Sequence, residues 1–542
     1  MPKMTGARAL TKTIMGYGVD TIFGVPGVQL DPLFDAFYHE KDKLRVIHTR
    51  HEQGAAYMAL GYALSTGREG VCTVVPGPGV LNAAAGVLTA HGLNAKVLCV
   101  GGQVRSGAID KPIGLLHEIH DQKGVMASVT KWQARADTPA EAPGVIAEAF
   151  RQMNTGRNRP VFVEMAPDIM AAEDDIAIPA ADTNYPVMEP DPDLVEQAAA
   201  LLGNADNPAI FVGGGIWGAE EELLRLAEAV QAPVFMSEQG LGAVDWRHPL
   251  AQNMVAAAHA WPKIDVAVAV GTRFLLPAGF WGRDDDIKLI RIDPDAQQSV
   301  GVWPPDVHLI AHGKPALGAI AERVGRHNRK REPVADEMAA LKSAAVKEVA
   351  ETLPGQNALG RAIRAALPED GLACFGVTQM GFWGRWNFEA YHPRSIIQPG
   401  YQGTLGYSFP TALGAQVAHP DKKVVCVTGD GGFMFGASEL ATAMLHGINL
   451  VTVVMNNNAY GNVRKNQMVD FDGRVISAEL HNPDFVKYAE SFGALGLRAT
   501  TPDELRAALE KAFVADRPAI VDVPFEGLED WRVLEHRARM RG

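Results

Sequence analysis

The 542-residue sequence predicts an α/β protein built as three doubly wound parallel-sheet domains, and three observations carry that expectation. Short apolar, β-branched runs alternate with helical spacings of apolar residues along the chain, the pattern of parallel strands joined by crossover helices. A chain of this length exceeds what one hydrophobic core serves. The stretch Val424 to Gly461 reads as a complete unit of strand, glycine turn, helix and strand. Polar residues stand at the carboxyl ends of both its strands, where open parallel sheets bind ligands.

Composition narrows the class. Hydrophobic residues at 47% and charged residues at 21% describe an ordinary soluble protein. A formal net charge of −13 leaves no basic surplus for phosphates, which argues against general nucleic-acid or anionic-membrane binding. No window approaches a transmembrane length, and the N-terminus lacks a basic region followed by a long apolar one, so the cytoplasm is the expected compartment. Cys72, Cys99, Cys374 and Cys426 stand singly in apolar runs without a Cys-x-x-Cys pair, which predicts buried reduced thiols.

The first block, residues 1–170, reads as helix Gly6–Met15, strand Thr21–Val25, turn Pro26-Gly27, helix Asp31–Tyr38 and strand Leu44–His48. Glu52 then enters a small-residue helix, Ala55–Leu64, where a lone carboxylate ordinarily complements the helix dipole. Strand Val71–Val75 runs into Pro76-Gly77-Pro78-Gly79, and strand Lys96–Val100 into Gly101-Gly102-Gln103. Ala171 to Pro192 is acidic and proline-rich and reads as a linker. In the second block, 193–325, strand Ala209–Val212 enters Gly213-Gly214-Gly215-Ile216-Trp217-Gly218, a G-x-G-x-x-G match that invites a dinucleotide reading. The acidic residue expected after the next strand is not cleanly placed, Glu238 being nearest. His327 to Ala350 is polar and reads as a solvated helix. The third block, 351–528, opens with strand Leu372–Phe375, and a charged tail, 529–542, follows it.

Within that block Val424–Thr428 reads as a strand buried on both faces, ending in the turn Gly429-Asp430-Gly431-Gly432. Glycines there admit a ligand to the backbone, whose N–H groups favour a phosphate. Helix Ser438–His446 stops at Gly447, and strand Leu450–Met455 breaks at Asn456-Asn457-Asn458. The Asp430 carboxylate, the Asn457 amide oxygen and a backbone carbonyl suit a hard cation that also holds phosphate oxygens and water, as Mg²⁺ does. Gly-Asp-Gly alone is a common turn. The ordered combination ending in Asn-Asn resembles the metal-diphosphate signature of thiamine-diphosphate-dependent enzymes.

The resemblance spans nearly the whole chain. RHEQGAAYMALGYALSTG around Glu52 is similar to the segment of acetolactate synthases and their relatives whose Glu bonds N1′ of the aminopyrimidine. It implies a pyrimidine-binding, a central and a diphosphate-binding domain, with cofactor contacts from Glu52, Pro76, Asn82, Thr378, Gln379, Gly429, Asp430, Gly431, Gly432, Asn457, Tyr460 and Gly461. Gly403 would accept from the 4′-amine, Leu405 would wedge under the two rings, and Ala459 would join Asp430 and Asn457 as metal ligands. His117 falls where the acetolactate synthases carry an active-site Gln, and could shuttle a proton; in an ordinary loop it would be a surface residue. Arg464 and Lys465 stand either for a substrate carboxylate or for a charged helix start. The implied reaction is decarboxylation of a 2-oxo acid with carboligation to a second carbonyl, in a homodimer or homotetramer with active sites between subunits. An aldehyde-releasing decarboxylase, a 2-hydroxy-ketone lyase, a flavin-linked oxidase and a non-catalytic relative are the alternatives. Gly271-Thr272-Arg273-Phe274 and Ile292-Asp293 resemble parts of the FAD site of some members, but Gln252 to His259 replaces the expected glycine-rich stretch, which disfavours FAD. The tail would lie over the active site.

Overall fold

The computed structural model describes residues 2–297, 303–535 and 539–541. They form three six-stranded parallel sheets flanked by helices, and a small antiparallel ribbon of Lys3–Thr5 with Glu173–Asp175. The first sheet takes strands Thr21–Gly24, Arg45–His48, Gly70–Val74, Val97–Gly102, Trp132–Ala136 and Val161–Met165. The third takes Leu372–Phe375, Ile396–Ile397, Val424–Gly429, Val451–Asn456, Leu495–Arg498 and Ala519–Pro524. Numbered by place in the chain, both have the spatial order 2-1-3-4-6-5, so the outer sheets share one topology. The middle sheet, from Pro208–Val212 to Val307–Leu309, has the order 3-2-1-4-5-6 familiar from dinucleotide-binding folds. In each outer sheet the strand order reverses between the first and third strands, and a crevice opens there at their carboxyl ends.

Residues 176–191 carry neither helix nor strand. The polar stretch after His327 forms helix Ala335–Thr352, which buries Met338, Ala345 and Val349 along one stripe rather than standing free in solvent. The four cysteines are buried and free, and they pair in register, Cys72 beside Cys99 and Cys374 beside Cys426. Among the described residues no helix is long and apolar enough to cross a membrane.

The outer domains meet through helices Glu52–Thr66 and Ser408–Ala418. Both are small-residue helices without a polar face, as helices buried on all sides must be. Their backbones approach so closely that a side chain at Gly61 or Gly414 would collide with main chain of the other helix. This contact fixes the start of the helix that carries Glu52 against the third domain.

One local expectation is corrected. Gly429 to Gly432 is not an open turn: Gly429 ends the strand, and Asp430–Met434 is a short helix whose glycines keep negative φ. The glycines serve space rather than backbone freedom, since a Cβ on Gly431 would lie 2.8 Å from the Tyr460 ring.

Candidate active site

The residues singled out in the sequence fall into two sets. The larger surrounds a cavity of about 420 Å³ at the crevice of the third sheet. Thr378 and Gln379 follow the first strand, Gly403 and Leu405 form one wall, and Gly429 to Gly432 follow the third strand. Asn457, Ala459, Tyr460 and Gly461 follow the fourth. Thr378 caps helix Gln379–Asn387, its Oγ1 accepting from the Gly381 N–H at 3.0 Å. Leu405 faces the cavity half-buried instead of sitting in the core.

Asp430 is the charged centre of this set. It is buried, and its Oδ2 accepts from the Ala459 N–H at 3.3 Å and from the Asn482 amide at 2.7 Å. Burial raises its carboxyl above the ordinary range, opposed by the Gly431, Asn482, Ala459 and Asn458 donors. A cation bound beside it would offset the cost of burying this carboxylate in its charged form. Asn457 lines the same cavity, its amide nitrogen 2.8 Å from where a side chain on Gly461 would begin. Among the described residues no three His, Cys, Asp or Glu side chains converge as a metal cage. Asp430, Asn457 and Ala459 line the cavity together, and a carboxylate, an amide oxygen and a backbone carbonyl drawn from them would suit a hard ion that keeps water and phosphate among its ligands. Gln379 Oε1 is buried without a hydrogen-bond partner among the described residues, while its amide donates to Asn462 at 2.7 Å. This side chain therefore offers the wall an acceptor for a water or a cation, and a phosphate oxygen would have to be met by backbone N–H groups instead. These features fit a magnesium diphosphate.

The smaller set lies at the carboxyl edge of the first sheet. Glu52 is the first residue of its helix, half-buried, and accepts from the Asn82 amide at 3.0 Å. Pro76 is buried beside the end of strand Val97–Gly102. His117 holds φ +65°, an uncommon conformation for a residue with a side chain, and its carbonyl presses on Gly77, where any side chain would collide. Neither Glu52, Pro76, Asn82 nor His117 lines the cavity of the third domain. Within one chain the structure therefore does not bring the two sets together, although Gln53 lies against Gly406 behind the cavity wall.

Two residues escaped the sequence reading. Asn482 sits in a loop far from Asp430 in sequence, and no local pattern announces it. Glu439 is buried in the third domain and accepts from the Arg50 and His51 N–H groups at 3.0 Å, tying down the turn that launches Glu52. Its first-turn place on helix Glu439–His446 hides this role behind a dipole explanation. Glu439→Ala leaves those donors unpaired at an interdomain contact. The urea unfolding midpoint should fall, by the equivalent of about 1–3 kcal/mol.

Arg464 and Lys465 are engaged by Glu479 and Asp530, at 3.2 and 3.6 Å, which supports the charged-helix reading. The tail divides: Leu528, just before it, lines the cavity, whereas Arg541 is buried against the central domain, donating to the Trp261 and Ile264 carbonyls and pairing with Asp284. Residues 539–541 of the tail thus lie against the central domain and not over the cavity.

The central domain has its own crevice of about 350 Å³ beside Gly213 and Gly214. Glu238 does not present a free carboxylate there, since it pairs with Arg385 at 2.9 Å. The run from Gln252 forms helix Met254–Ala260 with Val255, Ala256 and Ala257 buried.

Comparison with known proteins agrees with this geometry. Residues 4–125 match the N-terminal TPP-binding domain of thiamine pyrophosphate enzymes, 195–320 the central domain, and 376–523 the C-terminal TPP-binding domain. A probable 2-ketoarginine decarboxylase from Pseudomonas aeruginosa is 33% identical over 518 residues, covering 94% of this chain and 92% of that protein. The acetolactate synthase large subunit of Corynebacterium glutamicum is 31% identical over 96% of this chain and 86% of its own length. A probable acetolactate synthase large subunit from Methanocaldococcus jannaschii is 32% identical over 97% and 93%. Matched in all three domains and along nearly its whole length, the chain belongs to the thiamine-pyrophosphate-dependent enzymes, in their acetolactate-synthase-like group.

Proposed function

We propose that this chain decarboxylates a 2-oxo acid with thiamine diphosphate held through Mg²⁺. The observation that carries the reading is the meeting of Asp430, Asn457 and Ala459 at one cavity, where Asp430 is buried among hydrogen-bond donors and no Lys or Arg among the described residues lines the wall. When bound, the cofactor supplies a carbon nucleophile and accepts the electrons released with CO₂. The chain's own residues bind and orient. Thr378, Gln379, Gly429, Gly431 and Gly432 cradle diphosphate oxygens, Asn457 and Asp430 hold the metal, Tyr460 and Gly461 close the wall, and Leu405 and the Gly403 carbonyl set the ring geometry. Glu52 holds a proton at the pyrimidine, with Asn82 steering its carboxylate and Pro76 shaping the floor. His117 exchanges a proton with the substrate-derived oxygen.

The separation of the two sets supports a homodimer, or a tetramer of two such pairs, in which one protomer's Glu52 side closes on its partner's cavity. Exposed apolar residues flank both: Ile113 and Leu116, 64% and 63% exposed, near His117, and Phe435, 54% exposed, beyond Asp430. The helix that replaces a glycine run in the central domain supports a chemistry without FAD.

Carboligation to a second carbonyl is the leading fate of the product, because acetolactate synthases resemble the chain end to end. Aldehyde release is the second reading, favoured by the proton-bearing ring at His117 and by the named decarboxylase among the relatives. A screen of 2-oxo acids with thiamine diphosphate and Mg²⁺ tests both. CO₂ release should require both additions. A 2-hydroxy ketone identifies the ligase and an aldehyde the decarboxylase. No CO₂ from any 2-oxo acid, or a yellow protein consuming O₂, would overturn the reading.

A further inference from the structure

We infer that Gln29 is a positioning residue that fixes the ring of His117 in one tautomer, protonated at Nδ1 and open at Nε2. The inference rests on the proton-exchange role proposed for His117 and names what prepares that residue for it.

Gln29 lies just past strand Thr21–Gly24, on the same sheet edge as Glu52 and Gly77, and is 8% exposed. Its amide makes two contacts with the loop that carries His117. Nε2 donates to the Leu116 carbonyl at 3.0 Å, and Oε1 stands 3.2 Å from His117 Nδ1. The proton positions follow from donor capacity. A backbone carbonyl only accepts, so the amide nitrogen must face Leu116. The amide oxygen then faces His117, and an oxygen without a proton requires Nδ1–H as its donor. In the neutral ring the lone pair is left on Nε2, and among the described residues the ring's hydrogen bond is the one at Nδ1.

Neighbouring charges do not compete for Nδ1. Glu118 turns its carboxylate to the Leu115 N–H at 2.9 Å, and Asp121 turns to the Gly124 N–H at 2.9 Å. The loop is also held from below, by the His117 carbonyl against Gly77, and from the backbone, by the positive φ of His117. Asp110 and Asp121 in the same stretch also hold positive φ, so it is the side-chain clamp that sets His117 apart. In this tautomer Nε2 can accept a proton from a hydroxyl and return it, while the Gln29 oxygen steadies the imidazolium in between.

The test uses the apoprotein first. Ring-nitrogen NMR of histidine-labelled protein, with His117 assigned by loss of its signal in His117→Gln, should show protonated Nδ1 and bare Nε2 in the neutral form. Gln29→Leu should abolish that signature, and Gln29→Glu, which keeps an acceptor towards Nδ1 but gives up the bond to the Leu116 carbonyl, should restore it in part. In the loaded enzyme Gln29→Leu should lower kcat by roughly tenfold with KM little changed, and Gln29→Glu should recover part of the loss. An Nε2–H ring in the wild-type protein, or an Nδ1–H signature that survives Gln29→Leu, overturns the inference. Wild-type kcat in Gln29→Leu alongside an impaired His117→Gln overturns it too. Unimpaired turnover in His117→Gln would instead remove the role proposed for His117, and the tautomer measurement would still judge Gln29 by itself.

Discussion

Glu52→Gln should reduce CO₂ release by about 10²–10⁴-fold while leaving thiamine diphosphate affinity within a few-fold of wild type. The two effects separate because the two residue sets are separate. The groups assigned to diphosphate and metal stand around the third-domain cavity, from Gly376 to Gly461, and Glu52 is not among its walls. Glutamine preserves the shape of the side chain and still offers an oxygen to the Asn82 amide, so the helix start and its tie to Glu439 remain. What it loses is the capacity to give and take a proton. Cofactor affinity by titration calorimetry and turnover by CO₂ release, on the same preparation, measure both halves. Full turnover in this variant would end the proton assignment, and loss of binding together with turnover would make Glu52 a structural residue.

The legible part of the molecule was the part in which chemistry and local structure coincide. Val424–Gly429 and Val451–Asn456 stand within a residue of the expected strands, because both are buried on two faces and built of β-branched side chains. Asp430 and Asn457 were readable together because a parallel sheet delivers successive strand ends to the same edge, whereas Ala459 was named only through the family resemblance. The short helix at Asp430–Met434 was hidden by its glycines, whose purpose is room for Tyr460 and not a turn. Asn482 and Gln29 act through side-chain bonds to residues 52 and 88 positions away, and nothing in a local window carries such information. The common topology of the outer sheets was equally invisible, since their matching strands share burial and position but no repeated motif.

Asp430→Asn should abolish joint binding of Mg²⁺ and thiamine diphosphate, and mixing that variant with Glu52→Gln should restore activity that neither has alone. The first effect follows from the donor set. Asp430 is the one carboxylate among the described residues that line the cavity, so a neutral amide there would leave a cation only neutral protein ligands and would remove the metal anchor proposed for the diphosphate. The second effect follows from the geometry of the two sets. If one protomer's Glu52 serves its partner's cavity, a hybrid dimer carries one site with both residues intact and one with neither. Equal mixing with free subunit exchange makes about half the dimers hybrid, each with one working site of two, so roughly a quarter of wild-type turnover should return. If each chain completed its own site, every protomer in the mixture would still lack one residue, and no activity would appear. A cavity whose described walls come from the third domain, with Glu52 and His117 on another sheet edge, is the arrangement from which the proposed dimer predicts complementation.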